Sequence, residues 1–167
     1  RAGLLYNELS LSQDSEMLLS DAGPDRIPVF SGKSIDLFAP GTNSVYGWLD
    51  LNEANSHFSK KRLNQARLSS SIYFGLSEDI LNNLDTLSFH RCRVALRKIA
   101  RRGDARTIIV ALLPPFVVAQ DGLPVLVVRK GGIRAEMFIL GMLATATLDW
   151  QARRFVELNV LKRVIDN

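Results

Sequence analysis

The most hydrophobic part of the chain is a six-residue run over 108–113, which Pro114 and Pro115 close. Its length and its β-branched residues are typical of a buried strand, and it is far shorter than the roughly 20 residues that cross a bilayer. We therefore expect 108–113 to be the most buried segment of the protein.

Just before this run, apolar and basic side chains alternate over 90–97, with Cys92, Val94 and Leu96 on one side and arginines on the other. An amphipathic helix would also place the arginines opposite the apolar residues, so periodicity alone does not separate helix from strand. The Gly103-Asp104 turn signal and the apolar run that follows favour a hairpin with strands near 89–99 and 106–113. In either case we expect the arginines to share a solvated face.

Weaker patterns predict the remaining elements. Residues 27–38 are typical of a bent strand interrupted at Gly32, and 124–129 of a further strand. The spacing of apolar residues permits a helix over 50–70, and acidic residues precede a short helical turn at 78–84.

Small and apolar residues surround the whole circumference of a helix over 133–147, which predicts a mostly buried helix that extends through Trp150 to Arg154. The fold class is therefore predicted as α/β (α+β). A twisted, mainly antiparallel sheet would pack against one long C-terminal helix, near 134–150, and against short helices. The sheet is expected to contain 27–38, 89–99, 106–113 and 124–129.

A chain of 167 residues with 47% hydrophobic and 23% charged residues is ordinary for one globular domain. We assign this domain to 27–167 and interpret 1–26 as an acidic, loose lead-in that could hold one short strand at 3–8. The single cysteine, Cys92, fits a reducing compartment, so the expected location is cytoplasmic and no membrane partner is expected. Because the chain begins at Arg1, we expect a fragment of a longer protein.

The net charge of +4 is unevenly distributed. Residues 1–25 contain five carboxylates and one arginine. The charged side chains of 57–67 are all basic, and 90–106 contain seven lysines and arginines against one acid, Asp104. Such asymmetry indicates a polyanionic partner or an acidic segment that covers a basic face, although a plain solvated face would look the same.

Several motifs resemble active-site motifs but lack a residue that the chemistry of the site requires. The sequence from Leu113 to Phe116 resembles the Asn/Asp-Pro-Pro-Tyr/Phe motif of amino-methyltransferases, but leucine cannot accept a hydrogen bond from a target amine. A Pro-Asp…x-x-Lys nuclease pattern at Pro24 lacks its second carboxylate at Ser31. The pair His90 and Cys92 lacks two further zinc ligands. We therefore expect no catalytic residues, no metal and no cofactor in this chain.

Three motifs occur in the order found in one enzyme family. They are IPVFSGKSIDLF over 27–38, then RVALRKIARR over 93–102 with DARTIIVALLPP over 104–115, and then LDWQAR over 148–153. Together they resemble the target-recognition region of adenine-specific restriction–modification methyltransferases and related phage-defence methylases. In the first motif, Ser31 replaces the usual acid. The resemblance covers about 27–160, and the methyltransferase and nuclease motifs of the family are absent.

The resemblance implies a bacterial domain that binds double-stranded DNA beside the methyltransferase catalytic domain of a parent protein. Arginine suits this role because its fork of donors matches phosphate oxygens and the guanine edge. The candidates for DNA contact are Arg91, Arg93, Arg97, Lys98, Arg101, Arg102 and Arg106, with Lys33, Lys60, Lys61 and Arg62 as secondary contacts. Two alternatives stay open. Some arginines could instead bridge the hairpin to Asp149 or to the acidic lead-in, and the whole chain could be a protein-interaction module that binds an acidic partner or a neighbouring domain.

Overall fold

The computed structural model describes residues 3–41, 45–100, 103–128 and 132–155. Within these residues the strands are β1 (Gly3–Tyr6), β2 (Arg26–Phe30), β3 (Ile35–Asp36), β4 (Ala39–Pro40), β5 (Gly47–Asp50), β6 (Arg93–Leu96), β7 (Val110–Leu113), β8 (Val118–Ala119) and β9 (Val125–Val128). The helices are α1 (Leu11–Asp14), α2 (Leu51–Gln65), α3 (Glu78–Asn82), α4 (Gly132–Leu143) and α5 (Ala146–Phe155). Short 3-10 turns occupy Ser15–Met17, Leu84–Thr86 and Ser88–His90. The class is mixed α+β, as predicted.

The described strands form three small sheets rather than the single sheet expected. A four-stranded antiparallel sheet has the order β1-β9-β6-β7, and a three-stranded sheet has the order β5-β2-β8. Strand β2 pairs antiparallel with β5 and parallel with β8, and β3 pairs only with β4. The expectation that 27–38 joins the arginine hairpin was therefore wrong, because β2 finds its backbone partners in β5 and β8.

The hairpin itself is confirmed, with strands shorter than predicted. Arg93 lies opposite Leu113 and Leu96 opposite Val110 in the antiparallel β6–β7 pair. The apolar run is buried as expected, since Ile108, Val110, Ala111 and Leu113 are all fully inaccessible to solvent. The bent strand, α2, α3 and β9 also lie where the sequence placed them.

Strand β6 is buried on both faces, which overturns the expectation of a solvated arginine face. Val94 and Leu96 share one hydrophobic cluster with residues of α4 and α5. Ala95 points to the opposite face, into a second cluster that contains Phe30 and Ile35. Because alternate residues of a strand share a face, Arg93 points into this second layer between the sheets.

The predicted single C-terminal helix is two helices, α4 and α5, separated at Ala144 and Thr145. The hydroxyl of Thr145 donates to the Met142 carbonyl (2.8 Å) and accepts from the Leu148 N–H (3.3 Å), which ends one helix and begins the next. The expectation of a mostly buried helix was also wrong, since Phe138 is 68% exposed.

Several stretches of the acidic N-terminal segment pair with other described residues, so these stretches are not a loose lead-in. Strand β1 pairs with β9 along its full length. Further along, Leu9 forms a parallel bridge to Gln120 and Leu19 an antiparallel bridge to Trp48. The segment therefore contributes to both larger sheets, because its backbone fills edge positions that would otherwise be unpaired.

Helix α2 begins at a side-chain cap, since the Asp50 carboxylate accepts from the N–H groups of Asn52 and Glu53 (both 2.9 Å). Its inward side chains are spaced four apart and include a charged one, Arg62. Over the described residues, the helices are too short or too polar to cross a bilayer.

Candidate nucleic-acid interface

The basic residues predicted to contact DNA do not form one surface. Those at the exposed surface include Arg91, Lys33 and Lys60, whereas Arg93 and Arg62 are only 2% and 1% exposed. Two further candidates, Arg101 and Arg102, lie outside the described residues. The buried basic side chains form hydrogen bonds within the protein.

Arg93 is held by a bidentate ion pair with Glu8, which is itself 1% exposed. Its Nε and Nη2 donate to the two carboxylate oxygens, each at 2.7 Å. The remaining donors reach the carbonyls of Pro114 and Val117, and the Ala119 N–H also donates to Glu8 (2.8 Å). This ion pair joins the acidic N-terminal segment to the hairpin, as expected under the alternative in which some arginines bridge these two segments. Arg93 is therefore not available to DNA.

Two other hairpin arginines are also engaged with the protein. Arg97 donates from Nε to the Gly32 carbonyl and from Nη2 to the Ile35 carbonyl, both at 2.6 Å. Arg106 donates to the Ala144 carbonyl (2.6 Å), and its Nε lies 3.6 Å from Asp149. These contacts fasten the hairpin to the β2–β3 turn and to the break between α4 and α5.

Asp149 anchors α5 to the start of the apolar run. Its Oδ1 accepts from the N–H groups of Thr107 and Ile108, both at 2.7 Å, and its Oδ2 accepts from Arg153 Nε at 3.2 Å. Burial alone would raise the pKa of Asp149, but the Ile108 N–H, Arg153 and the Thr107 N–H together lower the pKa below its ordinary value. The predicted bridge from an arginine to Asp149 is therefore present.

The basic residues of α2 likewise include side chains that contact the protein and one that is exposed to solvent. Lys61 Nζ donates to the Glu8 carbonyl (2.7 Å) and lies 3.7 Å from Asp14. Arg62 donates to the Thr86 hydroxyl (2.9 Å), whereas Lys60 is exposed. Of the secondary contacts on this helix, only Lys60 points to solvent.

Two of the predicted residues, Lys33 and Arg97, meet in one open groove of about 730 Å³. The groove is lined by Ser31, Gly32, Lys33, Val45, Tyr46, Arg97, Ile99, Asp104, Gln120 and Gly122. Glycine favours the close approach at position 32, since a Cβ would lie 3.1 Å from both Arg97 Cγ and the Gly122 carbonyl oxygen. The close turn holds Lys33 beside Arg97, and Lys98 follows directly in the chain.

The uncharged side chains of the groove include Tyr46 and Ile99, which are exposed, and Gln120, which is buried. Tyr46 is 48% exposed and Ile99 is 50% exposed, although both are large and apolar. The Gln120 side-chain oxygen accepts from the Gly122 N–H (2.7 Å), which fixes the orientation of the amide and leaves its NH₂ group without a hydrogen bond to the described residues. An aromatic ring can stack on a base, and an amide can donate to a base edge, so the groove combines contacts suited to backbone and base.

Sequence analysis missed Tyr46, Ile99 and Gln120, as well as the role of Glu8. Tyr46 lies far from the arginine-rich segment in sequence. It precedes β5, which pairs with one edge of β2, and Gln120 follows β8, which pairs with the other edge. One signal was present for Ile99, since a branched apolar residue between Lys98 and Ala100 interrupts the basic run. For Glu8, the only signal was a carboxylate between Tyr6 and Leu9.

The motifs without active-site chemistry lie in ordinary structural surroundings. Leu113 is fully buried in the core. His90 Nε2 lies 2.7 Å from Asn55 Oδ1, and burial lowers the pKa of this histidine. Among the described residues, no three His, Cys, Asp or Glu side chains cluster so that they could hold a metal ion.

Comparison of the chain with protein-family models and with curated proteins finds no match.

Proposed function

We propose that this chain is the DNA-binding target-recognition domain of a bacterial, cytoplasmic adenine methyltransferase of the restriction–modification type. In this proposal the chain supplies contacts to double-stranded DNA. The catalytic domain of the parent protein, a separate partner, supplies the cofactor site and methyl transfer. The chain itself is not an enzyme.

The observation that carries the proposal is the groove that the exposed side chains of Lys33 and Tyr46 line together with the buried amide of Gln120. Lysine attracts phosphate, whereas the aromatic ring and the amide offer contacts to bases. The motifs that resemble target-recognition regions contribute Lys33, Arg97 and Ile99 to the same groove. Motif resemblance and exposed chemistry therefore point to one surface.

The test is the affinity of the chain for duplex DNA as a function of salt concentration. If Lys33 and Lys98 each meet a phosphate, log affinity falls against log salt with a slope of about −2. The variant Lys33→Ala should weaken binding to every duplex and reduce the magnitude of the slope by about one unit. Tyr46→Ala should weaken binding with little change in slope, because stacking releases no counterion.

Controls are Arg67→Ala, which removes an exposed arginine just beyond α2, and Phe138→Ala, which removes an exposed aromatic ring from α4. Both should bind DNA like the wild type, since neither residue lines the groove. The proposal is wrong if no salt-dependent binding is measurable at low salt, or if Lys33→Ala and Arg67→Ala behave alike.

The alternative is a protein-interaction module that uses the basic face to bind an acidic partner or a neighbouring domain. The exposed apolar side chains of α4 and α5 favour the neighbouring domain, since Phe138, Met142 and Trp150 are each at least half exposed. Under this alternative, DNA does not bind.

A further inference from the structure

Arg62 is a buried cation without a carboxylate partner among the described residues. Its Nη1 donates to the Thr86 hydroxyl (2.9 Å) and its Nη2 to the Asn83 carbonyl (3.0 Å). Its Nε is buried and forms no hydrogen bond to the described residues. A charge removed from water is costly unless an opposite charge compensates it, and these neutral acceptors compensate it only in part.

A second cavity, of about 580 Å³, adjoins this guanidinium. Its volume lies within the range of small-molecule sites, which are roughly 300–1,000 Å³. The lining combines Arg62 with a second cation, the exposed Arg91, and with the hydroxyl residue Ser88. Asp85 also lines the cavity, but it is an exposed residue and does not lie within ion-pair distance of Arg62.

The rest of the lining is largely apolar and aromatic. It includes Ile72, Tyr73, Phe74 and Val127. Tyr73 packs edge-on against Tyr6, with ring centroids 5.5 Å apart, and this contact fixes one wall of the cavity. Burial raises the pKa of Tyr73, so its hydroxyl stays neutral and does not neutralise the neighbouring arginine. The cavity therefore places Arg62, which has no carboxylate partner among the described residues, and the exposed Arg91 beside largely apolar walls.

We propose that this cavity binds a small organic anion, in which a phosphate or carboxylate group is carried on a flat apolar body. The anionic group would be the counter-charge for Arg62 and Arg91, and the apolar body would lie against Tyr73 and Phe74. This site is separate from the groove of Lys33 and Tyr46, with which it shares no lining residue.

The test is calorimetric titration of the full chain with phenyl phosphate, inorganic phosphate and benzyl alcohol. Phenyl phosphate should bind saturably, with a Kd of about 1 mM or tighter. Inorganic phosphate, which lacks the apolar body, and benzyl alcohol, which lacks the charge, should each bind at least about 10-fold more weakly. Equal affinity for phenyl phosphate and benzyl alcohol would overturn the role of the charge, and no saturable binding of phenyl phosphate would overturn the site.

Two variants locate the binding. Arg62→Met and Arg91→Met should each weaken phenyl phosphate binding at least about 10-fold, since each removes one counter-charge. Arg67→Met removes an exposed arginine just beyond α2 and should bind like the wild type. Because Arg91 is exposed, its variant keeps the test valid even if Arg62→Met fails to fold. Unchanged affinity of Arg91→Met would contradict the proposal.

A competition experiment separates this site from the DNA-binding groove. Duplex DNA should not displace phenyl phosphate, and Lys33→Ala should bind phenyl phosphate like the wild type. Displacement by DNA would overturn the proposal of a small-molecule site, because the bound anion would then be a DNA phosphate. Failure of DNA binding alone would leave this site standing, so the two proposals fail independently.

Discussion

Arg93 and Arg62 are buried to nearly the same extent, at 2% and 1% exposure, but in opposite electrostatic surroundings. Arg93 meets both oxygens of Glu8 at 2.7 Å, so its charge is neutralised within the fold. Arg62 meets a hydroxyl and a carbonyl, and its Nε has no hydrogen-bond partner in the described part of the chain. The first arginine joins distant segments, and the second leaves positive charge beside a cavity.

This difference explains why a count of basic residues is a poor guide to a DNA-binding surface. Arginine recurs in the hairpin, but Arg93, Arg97 and Arg106 donate hydrogen bonds to oxygen atoms of the protein itself. Among the described candidates, the exposed Lys33 lines the groove and the exposed Arg91 lines the second cavity. The partners of each guanidinium, rather than its position in a basic run, determine its role.

The largest expected loss of stability follows from removing Arg93 from its ion pair with Glu8. Arg93→Met leaves Glu8 buried without its counter-charge and should destabilise the fold by about 3–5 kcal/mol. Arg62→Met removes a charge that has no carboxylate partner and should cost about 1 kcal/mol or less, because burial of the charge was itself unfavourable. Urea unfolding of both variants measures the contrast, and equal losses would contradict it.

A smaller effect is expected at Asp149, a second carboxylate that clamps distant segments. Asp149→Asn should cost about 1.5–3 kcal/mol near pH 7, because it removes the charge that accepts the Thr107 and Ile108 N–H groups. The pKa of Asp149 is lower in the folded state than its unfolded value of about 4. Its stabilisation is therefore fully present above about pH 4 and is lost as pH falls through the lower folded pKa.

The measurement is the free energy of unfolding of wild type and Asp149→Asn between about pH 7 and pH 2. The gap between the two proteins should close as the pH falls below 4. Arg106 and Arg153 face the carboxylate and remain charged throughout this range, so they do not contribute a titration of their own. A gap that is constant with pH would show that the charge of Asp149 is not what stabilises the fold.

Local pattern was sufficient to predict the hairpin, because the apolar run over 108–113 and the turn signal at Gly103 are short-range features. It could not predict which face of β6 meets solvent. That depends on Glu8, which is 85 residues from Arg93 in sequence, and on a second sheet that covers the arginine face. Alternation of apolar and basic residues usually marks a half-exposed strand, and here a long-range ion pair overrides that rule.

The C-terminal region and the groove illustrate the same limit. A continuous apolar pattern predicted one helix, but the hydroxyl of Thr145 ends α4 and redirects the chain so that Asp149 reaches the Thr107 and Ile108 N–H groups. In the groove, sequence analysis found Lys33 but not Tyr46, because nothing local to Tyr46 indicates that it faces Arg97 across a pair of strands.

The most direct test of the central claim, that the buried hairpin arginine is structural and the groove binds DNA, uses a variant that replaces the ion pair as a unit. Glu8→Met/Arg93→Met should recover most of the stability lost in Arg93→Met, since neither member of the ion pair is left buried without the other. Folding is checked by circular dichroism, and affinity for duplex DNA is then measured across a salt series. We predict an affinity within about twofold of wild type and an unchanged slope, because Arg93 contributes no phosphate contact. A folded double variant that loses DNA affinity and about one unit of slope, as Lys33→Ala should, would contradict the account.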